Sequence, residues 1–444
     1  MRPWQAAVAT IAIGILLVLA QSEVATHRSG RPLQREFMAF YTVGYVLNRS
    51  PEALYDPDAF NRTYHALFPA VPADIRQLYG HAPFEAVIFR PFALLPFDRA
   101  LVAWQVLSLG LISAGFSLVW RSSGRSWRGL PLPLLLALSF QPVAVACIAR
   151  GQVSALTFFW ISLSIWCQRR DRGYWSGAAL AMCLAKPTLL VLLLPMLGVG
   201  RRRRELIGFT VGAVILMGVS LLVVGWRGCA GYALVVLRFG GLATTAANSF
   251  QLSDYVDINS FLRMATGGSG RLALGGLVVA ATAVLPFLVK VWRDTRNGGP
   301  SELGSVWAST LTWTTVLNLY VPAYDTPMIL CGIVLMAMAF HREDREVMPQ
   351  VPGILLVLLF VVSWIPPLPT GNGTFLQLYT VGLVALGIYQ LRRAMEGPRL
   401  AHVPAERTLL DDREDVGEIV RPDGLTVPAR CRSSTPRHAR GGPG

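Results

Sequence analysis

The sequence predicts an all-α polytopic membrane protein, and three observations support this fold class. Of its 444 residues, 53% are hydrophobic and 15% are charged, which is too little charge to cover a water-soluble protein of this size. Apolar runs of about 17 residues or more recur from end to end, and each is long enough to cross a hydrocarbon core. The runs are continuous rather than alternating, which favours helices over transmembrane strands.

Arginine dominates the charged residues. The net charge is +14, and Lys186 and Lys290 are the two lysines among 40 basic residues. The arginines form short clusters between apolar runs, a pattern typical of orientation signals rather than of a nucleic-acid interface. We therefore expect the lipid bilayer to be a partner and nucleic acid not to be one. The cysteines show no spacing typical of a disulfide framework or a metal site.

Ten full spans are predicted. They cover residues 4–20, 100–120, 130–148, 153–167, 206–224, 272–292, 306–322, 326–340, 352–366 and 375–391. We interpret the first run as a retained helix, because no clear small-residue cleavage site follows it. Residues 1–396 are thus expected to form one transmembrane domain. Residues 397–444 have little apolar content and are predicted to be a disordered cytoplasmic tail.

Residues 173–200 are predicted to form a pair of half-helices. Arginine clusters stand at both ends of this stretch, and Lys186-Pro187 lies in its middle. A single crossing would place one cluster on the outer side, against the preference of arginine for the cytoplasm. Proline interrupts a helix at the preceding turn, and each half would be about 18 Å long. With this V-shaped pair, all clusters agree on a cytoplasmic N-terminus and a cytoplasmic C-terminus.

A large first extracytoplasmic loop, residues 34–97, is predicted to carry surface helices and the catalytic carboxylate. From Glu36 onward, Phe37, Phe40, Tyr41 and Gly44 share one helical face. Such a helix is expected to lie on the membrane with its apolar side down. Glu36 would then stand beside aromatic rings, a setting that suits a general base. The alternative is a solvated first-turn glutamate that interacts with the helix dipole.

Other polar residues at the predicted outer side are candidates for substrate binding. They are Tyr41, Asp56, His81, Arg150, Gln152, Lys186, Asp254, Asp257, Tyr324 and Asp325. Lys186 lies at the kink of an apolar segment, where a charge is costly, so a contact with a phosphate is one interpretation. The alternative is that its ammonium snorkels to the membrane interface. Asp56 also fits a turn, and His81 fits an ordinary loop histidine. For Asp254 and Asp257, the alternative to substrate binding is that they are ordinary loop residues exposed to water.

Taken together, these stretches resemble family 87 of the glycosyltransferases, membrane enzymes of the GT-C superfamily. The resemblance covers residues 4–391 and rests on an ordered set of motifs. In this chain they read EFMAFYTVG, YDP, HAPFEAVIFRPFALLPF, GQVSALTFFW, SGAALAMCLAKP and YVPAYDTP. Glu36 stands where the family usually has aspartate. The late motif lacks the family's histidines and keeps Tyr324-Asp325.

The resemblance implies a GT-C-like bundle and a cell-membrane enzyme that works at the extracytoplasmic face. The implied reaction transfers a hexose, mannose above all, from a polyprenyl-phosphate-linked sugar donor to a glycolipid or glycan acceptor, with inversion. Glu36 would be the base, and Lys186 and Arg150 would hold the phosphate. No metal site and no cofactor are expected. A lipid or glycan transporter and a catalytically silent relative of the family remain as alternatives.

Overall fold

A computed structural model describes most of the chain. It covers residues 35–122, 130–242, 252–297, 300–341, 350–371 and 374–396. The predicted first span, residues 4–20, and the predicted tail, residues 397–444, lie outside the described residues.

The described part of the chain is built almost entirely from helices. In chain order they are α1 (Arg35–Leu47), α2 (Pro57–Leu67), α3 (Pro83–Ala86), α4 (Phe97–Ser122), α5 (Pro131–Leu138), α6 (Ser154–Arg169), α7 (Gly173–Ala181), α8 (Leu193–Val199), α9 (Arg203–Leu242, kinked at Gly225), α10 (Ile258–Ala265), α11 (Gly270–Asp294), α12 (Pro300–Val316), α13 (Ile329–His341), α14 (Gln350–Ser363) and α15 (Leu378–Glu396). Short 3₁₀ helices and a π-helix, Pro142–Ala149, join them.

The all-α prediction needs one correction between α14 and α15. Two short strands, β1 (Leu368–Gly371) and β2 (Thr374–Leu376), pair antiparallel, with Leu368 opposite Leu376. The two residues between them in the sequence are Asn-Gly, a pair that favours a tight hairpin turn. A connection between neighbouring helices can satisfy its backbone polar groups by such pairing.

Three helices in the described residues are long and apolar enough to cross a membrane alone: Phe97–Ser122, Arg203–Arg238 and Gly270–Asp294. The number becomes four when Pro131–Leu138 and Pro142–Ala149, bent by 68°, are taken as one span. Two other predicted spans, 326–340 and 352–366, fold as the shorter apolar helices Ala323–Met336 and Gly353–Ser363, so the expected ten full spans are not confirmed. The long helices expose large apolar side chains, and on α9 Leu222 is 88% exposed, as suits a surface that faces lipid.

The stretch from 173 to 200 is interrupted at Lys186. Its φ and ψ of −130° and 81° are not helical, and a 3₁₀ helix ends before it and another begins at Pro187. The two ends of the stretch lie side by side, because Arg204 Nη1 is 3.4 Å from Asp171 Oδ2. The stretch therefore leaves one end of the helix bundle and returns to it, which is the arrangement that paired half-helices require.

The arginines that follow several helices gather at that same end, which we call the basic end. Arg169, at the end of α6, donates to the carbonyl of Ser122 at the end of α4, at 2.7 Å. Arg202, just before α9, donates to the carbonyl of Thr295 after α11, at 3.2 Å. Residues far apart in sequence thus place their positive charges on one side of the bundle.

Helix α1 packs inside the protein, which corrects the prediction of a surface helix lying on the membrane. Phe37 is fully buried, and its ring centroid is 5.8 Å from Phe97 and 6.1 Å from Trp104. Phe40 stacks on Phe89 at 4.8 Å. The apolar face was correctly located, but aromatic residues of the same loop and of α4, rather than lipid, cover it.

Candidate active site

The N-terminal end of α1 rests on the turn formed by Arg150, Gly151 and Gln152. The Phe37 amide donates to the Arg150 carbonyl at 3.2 Å, and the Trp104 indole donates to the Gly151 carbonyl at 2.9 Å. Gly151 has a φ of +76°, and a Cβ there would lie 2.7 Å from the Cβ of Phe37. Glycine is therefore required both by the backbone conformation and by the close approach of α1.

The same turn ends the π-helix. The Arg150 amide donates to the Val145 carbonyl at 2.8 Å, and the Gln152 amide donates to the Ala146 carbonyl at 3.0 Å. These wide turns replace ordinary helical spacing over Pro142–Ala149, and π-helical turns are frequent at functional sites. They set the direction in which Arg150 leaves the backbone.

A cavity of about 230 Å³ opens where these elements meet. Six of the predicted site residues line it: Glu36, His81, Arg150, Gln152, Asp254 and Tyr324. Its wall is completed by aromatic and proline side chains, among them Phe40, Tyr79, Tyr255, Trp364, Pro366, Pro367 and Tyr379. A polar centre surrounded by rings is typical of a pocket for a small ligand such as a sugar.

Glu36 and Arg150 form the ionic centre of this cavity. Glu36 Oε1 lies 3.8 Å from Arg150 Nη1. The side chains are 11% and 32% exposed, respectively, so the acid is mostly enclosed while the guanidinium remains open to the cavity. The pair brings together a group that can accept a proton and a group that can bind an anion.

Lys186 and Asp325 form a buried ion pair beside the cavity instead of lining it. Ser154 Oγ donates to Asp325 Oδ1 at 2.7 Å and accepts from Lys186 Nζ at 3.3 Å. The ammonium also lies 4.6 Å from the centre of the Tyr324 ring. The sequence analysis named both residues as candidates for the site but did not predict that they pair with each other. The charge of Lys186 is compensated within the protein.

His81 stands at the cavity wall beside a buried acid. Its Nδ1 is 2.6 Å from Oε2 of Glu85, and Glu85 is 2% exposed. The Tyr55 hydroxyl donates to the His81 carbonyl at 2.6 Å. Sequence reasoning missed Glu85, although the four-residue spacing between a histidine and an acid could have indicated a shared helical face.

Asp254 and Asp257 have different surroundings. Asp254 lines the cavity, whereas Asp257 is fully buried and does not. Asp257 accepts hydrogen bonds from the amide and hydroxyl of Ser260, each at 2.9 Å, and from the Val321 amide at 2.8 Å. Burial raises the pKa of Asp257 to about 6 even though these donors oppose the shift. Asp257 thus joins the start of α10 to the segment that precedes Tyr324.

The two remaining predicted residues, Tyr41 and Asp56, lie away from the cavity. The Tyr41 hydroxyl donates to the carbonyl of Leu95 at 2.8 Å. Asp56 caps α2 by accepting from the amides of Asp58 and Ala59 at 2.9 and 3.0 Å. Those backbone donors lower the pKa of the Asp56 carboxyl. Their contacts account for both residues structurally, and for Asp56 they match the turn interpretation.

Other cavity residues escaped the sequence analysis because they resemble ordinary helix ends. Trp364 follows an apolar helix and precedes Pro366, a position typical of tryptophan at a membrane interface. Tyr379 is buried, and its hydroxyl donates to Thr326 Oγ1 at 2.8 Å. Within the described ranges, no group of three or more histidine, cysteine or acidic side chains could hold a metal ion.

The cavity and the basic end lie at opposite ends of α6. Gln152 lines the cavity just before this helix begins at Ser154, and Arg169 closes it at the basic end. Sixteen helical residues separate the two by about 24 Å. This distance is close to the thickness of a hydrocarbon core.

Comparison with known proteins adds a family. The family model described as glycosyltransferase family 87 matches residues 79–319, more than half of the chain. The matched range contains His81, Arg150 and Lys186, whereas Glu36 and Asp325 lie outside it. No curated protein and no solved structure matches the chain.

Proposed function

We propose that this chain, which belongs to glycosyltransferase family 87, transfers a hexose from a polyprenyl-phosphate-linked donor to a glycolipid or glycan acceptor at the extracytoplasmic face of the cell membrane. Family membership supports glycosyl transfer as the class of reaction. The donor, with mannose as its sugar, and the side of the membrane are proposed from the site and from the distribution of charge.

The observation that carries the proposal is the Glu36–Arg150 pair, 3.8 Å apart in a ring-lined cavity. In the reaction, the acceptor hydroxyl oxygen attacks the anomeric carbon while the bond from that carbon to the phosphate oxygen breaks. The hydroxyl proton passes to Glu36, and the bonding electrons leave with the polyprenyl phosphate. A single carboxylate is enough for such a direct displacement, which inverts the anomeric centre.

Arg150 is proposed to bind the donor phosphate. Its guanidinium offers several donors in one plane, which suits two phosphate oxygens at once, and it is 32% exposed. Lys186 was expected to share this role, but its ammonium contacts Asp325, Ser154 and the Tyr324 ring. We therefore assign the phosphate to Arg150 first. The Lys186–Asp325 pair then supports the wall that carries Tyr324.

The distribution of arginine supports an extracytoplasmic site. Because arginine prefers the cytoplasmic side, the clusters favour a cytoplasmic location for the basic end, and the cavity lies about 24 Å away from it along α6. An acceptor and a lipid-linked donor would then meet at the outer interface, with the polyprenyl chain in the lipid beside the apolar helices.

The direct test is to incubate the purified protein with a series of polyprenyl-phosphate sugars and a membrane lipid extract. Mass spectrometry then identifies any new glycolipid. A hexosylated product that depends on the polyprenyl-phosphate donor supports the proposal. Movement of lipid-linked sugar across proteoliposomes without any new product would favour the transporter. Donor binding with neither product nor movement would favour a silent relative.

A further inference from the structure

We propose that Glu85 is a positioning residue that fixes the imidazole of His81, so that His81 Nε2 accepts a hydrogen bond from a hydroxyl of the sugar substrate in the cavity. The inference rests on the proposed sugar-transfer function and adds a binding contact to it. It gives Glu85, a buried acid that is not part of the Glu36–Arg150 pair, a role in substrate recognition.

The first step is the placement of the His81 ring. Nδ1 is buried and lies 2.6 Å from Glu85 Oε2, a close polar contact that does not have the geometry of a hydrogen bond. His81 lines the cavity, and 17% of its side chain is exposed. Because the Nδ1 edge is turned towards Glu85, the opposite edge, which carries Nε2, is left to face the cavity.

The second step is the rigidity of this placement. The Phe40 ring meets the imidazole edge-on at a centroid distance of 5.4 Å, and the Tyr79 ring stacks on it at 5.5 Å. The Tyr55 hydroxyl holds the backbone carbonyl of the same residue at 2.6 Å. Contacts on two sides of the ring and on the backbone leave little freedom for it to turn.

The third step is the cost of burying Glu85. A carboxylate that is 2% exposed loses its hydration and needs a compensating donor. Burial, and after it the charge of Glu85, raises the pKa of the Tyr79 hydroxyl well above its usual value. Tyr79 therefore stays neutral beside the acid, and His81 is the basic side chain in contact with it. An apolar residue would fill the same space at lower cost, which points to a role beyond packing.

The chemical consequence concerns the tautomer of His81. At 2.6 Å a carboxylate oxygen repels the lone pair of a bare Nδ1, so the contact favours the proton on Nδ1 over the proton on Nε2. Whenever the imidazole is neutral, its lone pair is then on Nε2, at the edge that faces the cavity. Such an acceptor suits a hydroxyl donor, and hydroxyls are abundant on a hexose and on its acceptor. Glutamine at position 85 removes the charge that repels a bare Nδ1 and can donate its amide N–H to that atom, so the share of the opposite tautomer, with the proton on Nε2, rises.

A labelling experiment tests the tautomer without any turnover. Diethyl pyrocarbonate modifies neutral imidazole nitrogens, and mass spectrometry of the full-length protein in detergent reports His81 and His65 separately. At the high-pH limit of the rate, where the imidazole is neutral in both proteins, we expect Glu85→Gln to slow modification of His81 about tenfold, the size of one lost tautomer preference, and to leave His65 unchanged. Glu85→Asp, which keeps the carboxyl group, should restore part of the reactivity. Equal reactivity of His81 in the wild type and in Glu85→Gln would overturn the inference.

Kinetics with a polyprenyl-phosphate mannose donor and lipid extract provide the second measurement. Loss of a binding contact should raise KM about tenfold in Glu85→Gln and leave kcat nearly unchanged, with the exposed Glu52→Gln as the matched control. A purely structural role would reduce the active fraction at constant KM, and that result would also overturn the inference. Absence of transfer by the wild type counts against the proposed function, whereas the labelling result still decides the role of Glu85.

Discussion

Arg150 Nη1 lies 3.8 Å from Glu36 Oε1, although 114 positions separate the two residues in the sequence. The contact exists because the Arg150 carbonyl accepts from the Phe37 amide and so fixes the first turn of α1 against the π-helix. The backbone bond and the side-chain contact involve the same two segments. A base and an anion-binding group are thereby held in one place before any substrate arrives, which reduces the ordering that a reaction requires.

The first prediction concerns the acid. Glu36→Gln removes the proton acceptor and nearly preserves the shape, so kcat should fall by about 10²–10⁴-fold. Donor binding should persist, because the guanidinium of Arg150 is left in place. Product formation and binding of radiolabelled donor are measured on the same preparation. The exposed Glu52→Gln is the control, and wild-type turnover in Glu36→Gln would show that another group is the base.

The second prediction concerns the phosphate. Arg150→Ala should weaken binding of polyprenyl phosphate by about 1.5–3 kcal/mol, the range for a hydrogen bond to a charged group. Arg150→Lys keeps the charge but loses the planar pair of donors, so it should recover part of the affinity. The dissociation constants can be measured by titration in nanodiscs, with the exposed Arg62→Ala as the control. Unchanged affinity in Arg150→Ala would remove this residue from the donor site.

The third prediction concerns the buried ion pair. Lys186→Met and Asp325→Asn each leave one charge buried without its partner, so each should destabilise the protein by about 3–5 kcal/mol. The double variant should lose much less than the sum of the two, because no unpaired charge remains. Unfolding in detergent provides the double-mutant cycle. Additive losses would mean that the two charges do not depend on each other.

The fourth prediction is a pH dependence of stability at Asp257. Its pKa rises on folding from 3.8 to about 6, so the folded state binds the proton more tightly than the unfolded state does. The resulting stability is present below pH 3.8 and is lost as the pH rises through about 6. The change amounts to about 3 kcal/mol. Asp257→Asn cannot titrate, so the wild type should lose stability relative to this variant between pH 4 and pH 7. A constant difference across that range would contradict the assignment.

The fifth prediction concerns the paired half-helices. Cysteines placed at Arg172 and at Arg201, on either side of the stretch, should react with an impermeant maleimide from the same side of the membrane. The contact between Asp171 and Arg204 requires this result. Labelling in right-side-out and inside-out vesicles distinguishes the sides. Reaction from opposite sides would mean that the stretch crosses the membrane once.

The sequence was most informative where a polar residue interrupts or ends an apolar run. Glu36, Arg150 and Tyr324 could be proposed on that basis, because polar groups near the membrane are costly and therefore selective markers. The ion pair between Lys186 and Asp325 could not be predicted, because the two residues lie 139 positions apart and nothing in the local sequence of either indicates a partner. Glu85 stands among apolar residues, so it was taken as part of the loop pattern.

The fold could be predicted at the level of class but not of individual spans. An apolar run has the same composition whether it crosses the membrane, bends or packs within the protein, and the 68° bend before Pro142 shows the difficulty. Helix α1 shows the same limit, because its periodicity located the apolar face without identifying what covers it. Neighbouring segments decide both questions, and their positions depend on contacts between distant residues.

The close approach at Gly151 has a consequence for variants of this protein. The smallest possible change there, an added methyl group, would collide with Phe37. The collision would move the neighbouring Glu36 away from Arg150. Such a variant would retain every ionisable group of the site and still be inactive. Surveys of harmful substitutions in this chain should therefore include positions that have no chemistry of their own.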